Sequence, residues 1–381
     1  MPDGGVTTEF PGLTDIHAHP AMNAWLWHRD LRKHYWTGGN YDPLASLTDF
    51  KMLKQGGVKV LWSSLHVPEP NYMRVPPIRL LAHFLRSGRK LLKLSSWECL
   101  LLEMDEMERQ VARSEDFELA RSNLELDAVR ESGRAAIVHT VEGGHHLDAG
   151  LAPDDVKGRI ERLDLLAGRG VASLTIAHLY PNDLAGHALG IPEDELKVLF
   201  LWPLHPEVDD DRGLTPTGAA VIERMIELRM VPDVTHCTPN SRRDIYALVE
   251  DRIPVIASHI GVHSMNPVPY NLDRADVEAI AASGGVVGVI FMPYWLDKSH
   301  PGPGRDAIWR TMETLREWAG SWQHVALGTD FDGFTDPADD WDSEGKMGQV
   351  QEMLEEKGLL QAEQEAVLGA NARRVLRQGW R

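Results

Sequence analysis

Residues 231–259 read VPDVTHCTPNSRRDIYALVEDRIPVIASH. Positions 231–235 are a short apolar and β-branched run that stops at His236. A helix-like segment follows at 244–251, and a second run at 254–258 stops at His259. Strand, helix and strand in this order make a parallel pair, and strands this apolar are buried on both faces. Each of the two strands delivers a histidine at its C-terminal end.

Outward from this unit the pattern repeats. Runs of the same kind stand at 13–16, 58–62, 135–141, 171–176, 286–291 and 325–329, with longer helical patterns between them. Eight strands alternating with helices predict an α/β fold, a closed (β/α)8 TIM barrel, as one domain over residues 1–381. The spacing is uneven. Residues 79–130, between the second and third runs, read as a helical insertion because Leu91, Leu94, Leu100, Leu101, Met104, Met107 and Val111 form an apolar stripe. Residues 344–381 read as C-terminal helices. Residues 180–217 read as a long irregular loop. Its Asp209-Asp210-Asp211 run is read as solvated, since it lacks the alternating ligands of a calcium loop.

The chain has 39 Lys plus Arg against 57 Asp plus Glu, a formal charge of −18. That balance argues against nucleic acid or an anionic membrane as a partner, because both need a basic footprint. The two cysteines, Cys99 and Cys237, lie too far apart in sequence to suggest a disulfide framework. No basic and apolar leader is visible at the start. The uncharged stretch 279–296 is broken by Gly284, Gly285 and Pro293, so it is not read as a membrane span. The expectation is a cytoplasmic protein acting on a small-molecule substrate. The count that stands out is 17 His.

Those histidines matter because of where they fall. The first run leads into His17-Ala18-His19, the third ends at Glu142, the fourth at His178, the fifth at His236, the sixth at His259 and the eighth at Asp330. The C-terminal ends of barrel strands converge on one place. His17 and His19, two apart on a strand end, face the same side and can grip one cation. Imidazole with carboxylate suits Zn²⁺ and similar divalent ions, one or two of them. Glu142 can bridge two metals, and Asp330 can bind one and accept a proton from water that the metal acidifies. His145 and His146 are read as ordinary loop residues, Asp332 as a turn cap, and Trp25, Trp27 and Trp295 as packing.

At this point the motifs resemble those of the membrane dipeptidase (renal dipeptidase-like) family of the amidohydrolase superfamily. The matching pieces include Val141-Glu142-Gly143-Gly144-His145, Ile176-Ala177-His178, Asp233-Val234-Thr235-His236, Ser258-His259, Gly328-Thr329-Asp330-Phe331-Asp332-Gly333 and Gly369-Ala370-Asn371. The resemblance implies that His17, His19 and Asp330 hold one metal, that Glu142 bridges, and that His236 and His259 hold the second. It implies that His178 contacts the substrate and stabilises the tetrahedral intermediate. It also implies a homodimer. Two positions depart from the family. His19 stands where the family has Asp, and Tyr270, before Asn271, stands where it has an Arg that pairs with the dipeptide carboxylate. Tyr270 and Asn271 are therefore the expected substrate-binding positions, and Tyr270 implies an altered specificity.

The resulting expectation is a metal-dependent hydrolase of an amide or peptide-like bond in a small molecule, with Asp330, His178 and Glu142 as catalytic residues. A metal-dependent decarboxylase or other lyase, and a non-enzymatic metal-binding protein, are the rival readings, because a fold alone does not decide chemistry.

Overall fold

A computed structural model describes residues 12–35, 45–189, 211–297, 304–334 and 336–381. Asp209 and Asp210 of the acidic run lie outside them. Among the described residues nine strands form one sheet: β1 (Leu13–Ala18), β2 (Val58–Leu65), β3 (Phe117–Ala120), β4 (Ala135–Glu142), β5 (Ser173–Thr175), β6 (Val231–Asp233), β7 (Ala257–Ile260), β8 (Val287–Val289) and β9 (Val325–Leu327). Every pairing is parallel. The order is β6-β5-β4-β2-β1-β9-β8-β7, and a parallel bridge from Asp233 to Ile256 joins β6 to the residue before β7. Eight strands thus make the nearly closed (β/α)8 barrel that the eight apolar runs predict.

The stretch 79–130 is not helical throughout. Helices Ser96–Val111 and Asn123–Glu131 flank the short strand β3. β3 pairs the lower part of β4, from Phe117 opposite Ala135 to Ala120 opposite Val138, while β5 pairs the upper part, Thr140 to Glu142. One edge of β4 is therefore shared between two short strands.

The helices start where the sequence supplies caps. Thr215 and Thr238 each precede a proline and accept a backbone N–H from the first turn, opening Pro216–Leu228 and Pro239–Val249. Reciprocal capping boxes open Ser96–Val111 at Ser95 and Glu98, and Arg274–Ala282 at Asp273 and Asp276.

Side chains alternate along the strands, so the core divides in two. Leu61 of β2 and Ile137 and Val141 of β4 belong to the layer between sheet and helices. Val60, Trp62, Ala136 and Val138 join Ile16, Val231, Ile256, Val286 and Ala326 in a second cluster that includes Val375, Leu376 and Trp380 of the C-terminal segment. The last helix, Asn371–Gly379, thus covers the ends at which the strands begin. Asn371 Nδ2 donates to the carbonyls of Trp322 (2.7 Å) and Val325 (2.8 Å), and Asn123 Nδ2 donates to those of Leu376 (2.8 Å) and Trp380 (2.7 Å). With that end sealed, the opposite, C-terminal end of the barrel is left for the site.

Candidate metal centre and active site

β1 runs on through His17 and Ala18, and His19 then caps the helix Pro20–Leu26. Glu142 is the last residue of β4. His236 and Asp330 lie just past β6 and β9 in the left-handed backbone region, at φ +65° and +60°. Such a conformation costs of order 1–3 kcal/mol for a non-glycine residue and is found where a site demands it. His259 lies within β7. All six residues are buried.

They meet around one carboxylate. The Nε2 atoms of His259, His236 and His17 lie 3.2, 3.3 and 3.5 Å from Glu142 Oε1, and His19 Nε2 lies 3.4 Å from Oε2. Asp330 Oδ1 is 3.1 Å from His19 Nε2 and 3.7 Å from His17 Nε2. The imidazoles form two pairs with Nε2 atoms 3.1 Å apart, His17 with His19 and His236 with His259. Atoms of His17, His19 and Glu142, of His17, His259 and Asp330, and of Glu142, His236 and His259 are each close enough to share one ion.

The outer contacts of two of the rings, His17 and His259, fit one assignment of their protons. Ser258 Oγ lies 3.2 Å from His17 Nδ1 and 2.8 Å from His259 Nδ1. A hydroxyl has two lone pairs, so it can accept from both Nδ1–H groups and turn its own hydrogen to Thr235 Oγ1 at 3.4 Å. Both Nε2 lone pairs then point at carboxylate oxygens. Lone pairs facing lone pairs in a buried site call for positive charge between them, and two nitrogens 3.1 Å apart can share a cation at about 2.0–2.1 Å. The donor set fits a divalent metal. Asp15 and Asp233 brace the frame from behind. Asp15 accepts from the His17 N–H (3.0 Å) and from Thr329 Oγ1 (2.5 Å), and Asp233 accepts from the Ser258 N–H (3.1 Å) and from Thr175 Oγ1 (2.8 Å).

Electrostatics follow the same arrangement. Burial pushes the imidazole of His236 down to about 4, helped by the nearby charge of His178, and burial holds His19 and His259 below their ordinary value. Burial alone raises a carboxyl, yet the charge of His178 leads the opposing pull at Glu142, and that carboxyl is held well below its usual range. Asp330 goes the other way, raised by burial and by the charge of Glu142. His178 faces the same centre, with Nε2 3.8 Å from Glu142 Oε2. Burial lowers it, but Glu69 and Glu142 outweigh that and lift it to about 9.

The two positions expected to bind substrate sit differently. Tyr270 is fully buried and its hydroxyl donates to the His259 carbonyl at 2.6 Å. Its ring lies against Trp295 (4.7 Å) and across from His236 (5.0 Å). Asn271 spends its amide on the backbone, accepting from the Gly261 N–H (3.1 Å) and donating to the carbonyls of Asn266 (3.0 Å) and Trp295 (2.9 Å). The buried Arg242 clamps this loop, donating to the carbonyls of Pro269 and Tyr270 (3.1 Å each) while pairing with Asp276 (2.9 Å).

Two residues absent from the strand-end reading also line the site. His66 follows β2, and its Nδ1 donates to the Glu142 carbonyl at 3.2 Å. Glu69 Oε1 lies 2.6 Å from His178 Nδ1. The second run was read as ending at Trp62, whereas β2 continues to Leu65, so the signal was a strand end placed too early. His145 and His146 have a bracing role, since both bond to the backbone of Val67. Asp332 accepts the backbone N–H of Leu47 and Thr48 (3.0 Å each) and so ties down residues 47–48. Trp25 is buried in the core, as packing requires, and Cys99 and Cys237 are buried and unpaired.

A barrel with this centre at its C-terminal mouth presents a candidate metal site built of imidazoles and carboxylates. The chain belongs to the membrane dipeptidase family, peptidase family M19, whose profile matches residues 7–379. An uncharacterized dipeptidase of Schizosaccharomyces pombe is 30% identical over 216 residues, 55% of this chain and 44% of that protein, so the match spans less than half of that relative. A Klebsiella pneumoniae protein encoded in the pqqA 5' region is 29% identical over 69% of this chain and 89% of its own length. The same fold is seen in a Rhodobacter sphaeroides metallopeptidase liganded with a phosphinate mimic of L-Ala-D-Ala, at a TM-score of 0.75, 18% identity and coverage of 97% and 99%. Among the described residues no helix is long and apolar enough to cross a membrane.

Proposed function

We propose that this chain hydrolyses an amide or peptide-like bond in a small molecule, with two divalent ions, Zn²⁺ in the first instance, at the Glu142 centre. His17, His19 and Asp330 would hold one ion, His236 and His259 the other, with Glu142 between them. The single observation that carries the reading is one buried carboxylate facing four imidazole Nε2 atoms at 3.2–3.5 Å. When bound, the ions polarise a carbonyl oxygen and lower the pKa of water to about 7.

The chain's own residues supply the rest. Asp330 Oδ1, at the edge of the His17 and His19 pair, receives the proton of the attacking water and passes it to the leaving amine. His178 donates from Nε2 to the carbonyl oxygen as negative charge develops there. Tyr270 makes the wall over His236 aromatic and uncharged, and Asn271 acts through the loop that holds Tyr270 in place. That wall favours a substrate with a neutral group, such as an amide or ester, where a free dipeptide offers its carboxylate.

The test is product analysis on metal-loaded protein with matched dipeptides and dipeptide amides, alongside metal content by mass spectrometry. A new amine and a new acid, lost on chelation and restored by Zn²⁺, are expected. Release of CO₂ without a new amine, or metal-free protein of undiminished activity, overturns the reading.

A further inference from the structure

We propose that Glu69 is a positioning residue for His178, fixing its imidazole so that Nε2 points at the metal centre. The proposal rests on the hydrolase reading above. Glu69 is 1% exposed, and its Oε1 sits 2.6 Å from His178 Nδ1. An ionised carboxylate only accepts, so it fixes a proton on Nδ1 and leaves the ring one orientation about that bond. The far nitrogen, Nε2, is then the atom 3.8 Å from Glu142 Oε2.

The segment that carries Glu69 is built to hold still. The N–H of Val67 donates to His146 Nε2 at 3.1 Å, and the Val67 carbonyl accepts from His145 Nε2 at 3.0 Å. His146 is fixed in turn by donating from Nδ1 to the Gly143 carbonyl at 2.7 Å. Pro68 and Pro70 flank Glu69 and restrict its backbone to extended conformations. The Glu69 carbonyl accepts the Tyr72 N–H at 3.0 Å. Two neighbouring histidines after β4 thus anchor the loop after β2, and that loop presents one carboxylate to a histidine after β5. The other oxygen, Oε2, lies 3.9 Å from His66 Nε2 and makes no hydrogen bond among the described residues, so the hydrogen bonding of the carboxylate there goes to His178. Burying a charge for one bond is costly. Orienting a substrate-facing imidazole is a use that accounts for that cost.

The experiment compares Glu69→Ala, Glu69→Gln, His178→Ala and the double variant Glu69→Ala/His178→Ala, all zinc-loaded. L-Ala-D-Ala and its C-terminal amide are the probe substrates. Glu69→Ala is expected to lower kcat about 10–100-fold, the range for removing a partner that orients an active-site histidine, with KM and zinc content little changed. Glu69→Gln keeps an acceptor oxygen at the same reach and is expected to recover part of that loss. In the His178→Ala background the Glu69 change is expected to cost nothing further. Activity of Glu69→Ala within about twofold of wild type, or an equal fractional loss in both backgrounds, overturns the proposal. A second readout is independent of turnover. In protein carrying ¹⁵N-imidazole histidine, the short bond predicts a far-downfield N–H proton that is lost in both His178→Ala and Glu69→Gln. Should Glu69→Ala fail to fold, the isosteric Glu69→Gln and this resonance decide. If wild type cleaves neither probe but shows the resonance, the hydrolase reading falls while the Glu69–His178 positioning stands. If the resonance is missing from wild type, the positioning falls.

Discussion

Ser258 sets how two histidines of the candidate metal centre are held. Its single Oγ serves both His17 and His259, so one hydroxyl fixes the ring orientation of one residue from each proposed metal position. Removing it in Ser258→Ala leaves two buried Nδ1–H groups without their acceptor. Zinc affinity is expected to fall about 10–100-fold, measured by competition with a chromophoric chelator. Unchanged affinity would show that the two rings are held by packing alone. Under the proposed function Tyr270 sets the chemistry of the pocket wall in a comparable way. Its hydroxyl is spent on the His259 carbonyl and the Arg242 clamp keeps its backbone in place. Tyr270 itself offers a bound carboxylate no charge, and a charge-assisted hydrogen bond is worth about 1.5–3 kcal/mol. The expected outcome is a kcat/KM for a dipeptide amide at least about tenfold above that for the free dipeptide. Tyr270→Arg is expected to reverse the ratio. A wild type that prefers the free carboxylate would show that another cation serves it.

Elements carry the site only if they pack closely behind it, and two glycines show how closely. A Cβ added at Gly288 in β8 or Gly328 after β9 lies 1.9 or 1.8 Å from the Ser258 carbonyl. Gly328→Ala is expected to push β7 outward, destabilise the fold by about 1–3 kcal/mol and weaken zinc binding along with it. A thermal melt and a metal titration on one sample check this, and a loss of stability with full zinc affinity would separate the strand from the site. The same elements mark what a reader of the sequence can see. All eight barrel runs are legible because a strand buried on both faces is apolar throughout, and the residues that meet around Glu142 are legible because they end those runs. β3 is not, since Phe117-Glu118-Leu119-Ala120 is four residues long and reads as the continuation of a helix. His66 and Glu69 are not, because their place depends on Val67 being captured by histidines 78 and 79 residues away. The bracing role of Asn271 is invisible for the same reason. Its partners Asn266 and Trp295 meet it only when the loops after β7 and β8 close on each other.

At the scale of the whole molecule, a core that buries histidines neutral has a weakness in acid. His139 in β4 is 1% exposed and, among the described residues, makes no hydrogen bond through either ring nitrogen. Burial lowers it to about 4, from about 6.5 in an unfolded chain, against a weaker pull from Glu108. The sign follows from proton counting. Below about pH 6.5 the unfolded chain takes up a proton that the folded His139 refuses, so stability present at neutral pH is lost as pH falls toward 4. At pH 5 that single residue accounts for about 2 kcal/mol of the loss. Buried carboxyls such as Glu103, raised by desolvation, carry the opposite sign: their folded-state protonation favours folding in acid and costs stability as pH rises. His139 is therefore best isolated by substitution. His139→Gln keeps a polar side chain of similar length but has no proton to take up in this range. Unfolding free energies measured by urea at pH 7.5 and pH 5 are expected to differ by about 2 kcal/mol less in His139→Gln than in wild type. Equal differences in the two proteins would show that His139 is protonated within the folded barrel, and that Glu108, 4.0 Å from its Nε2, holds that charge in place.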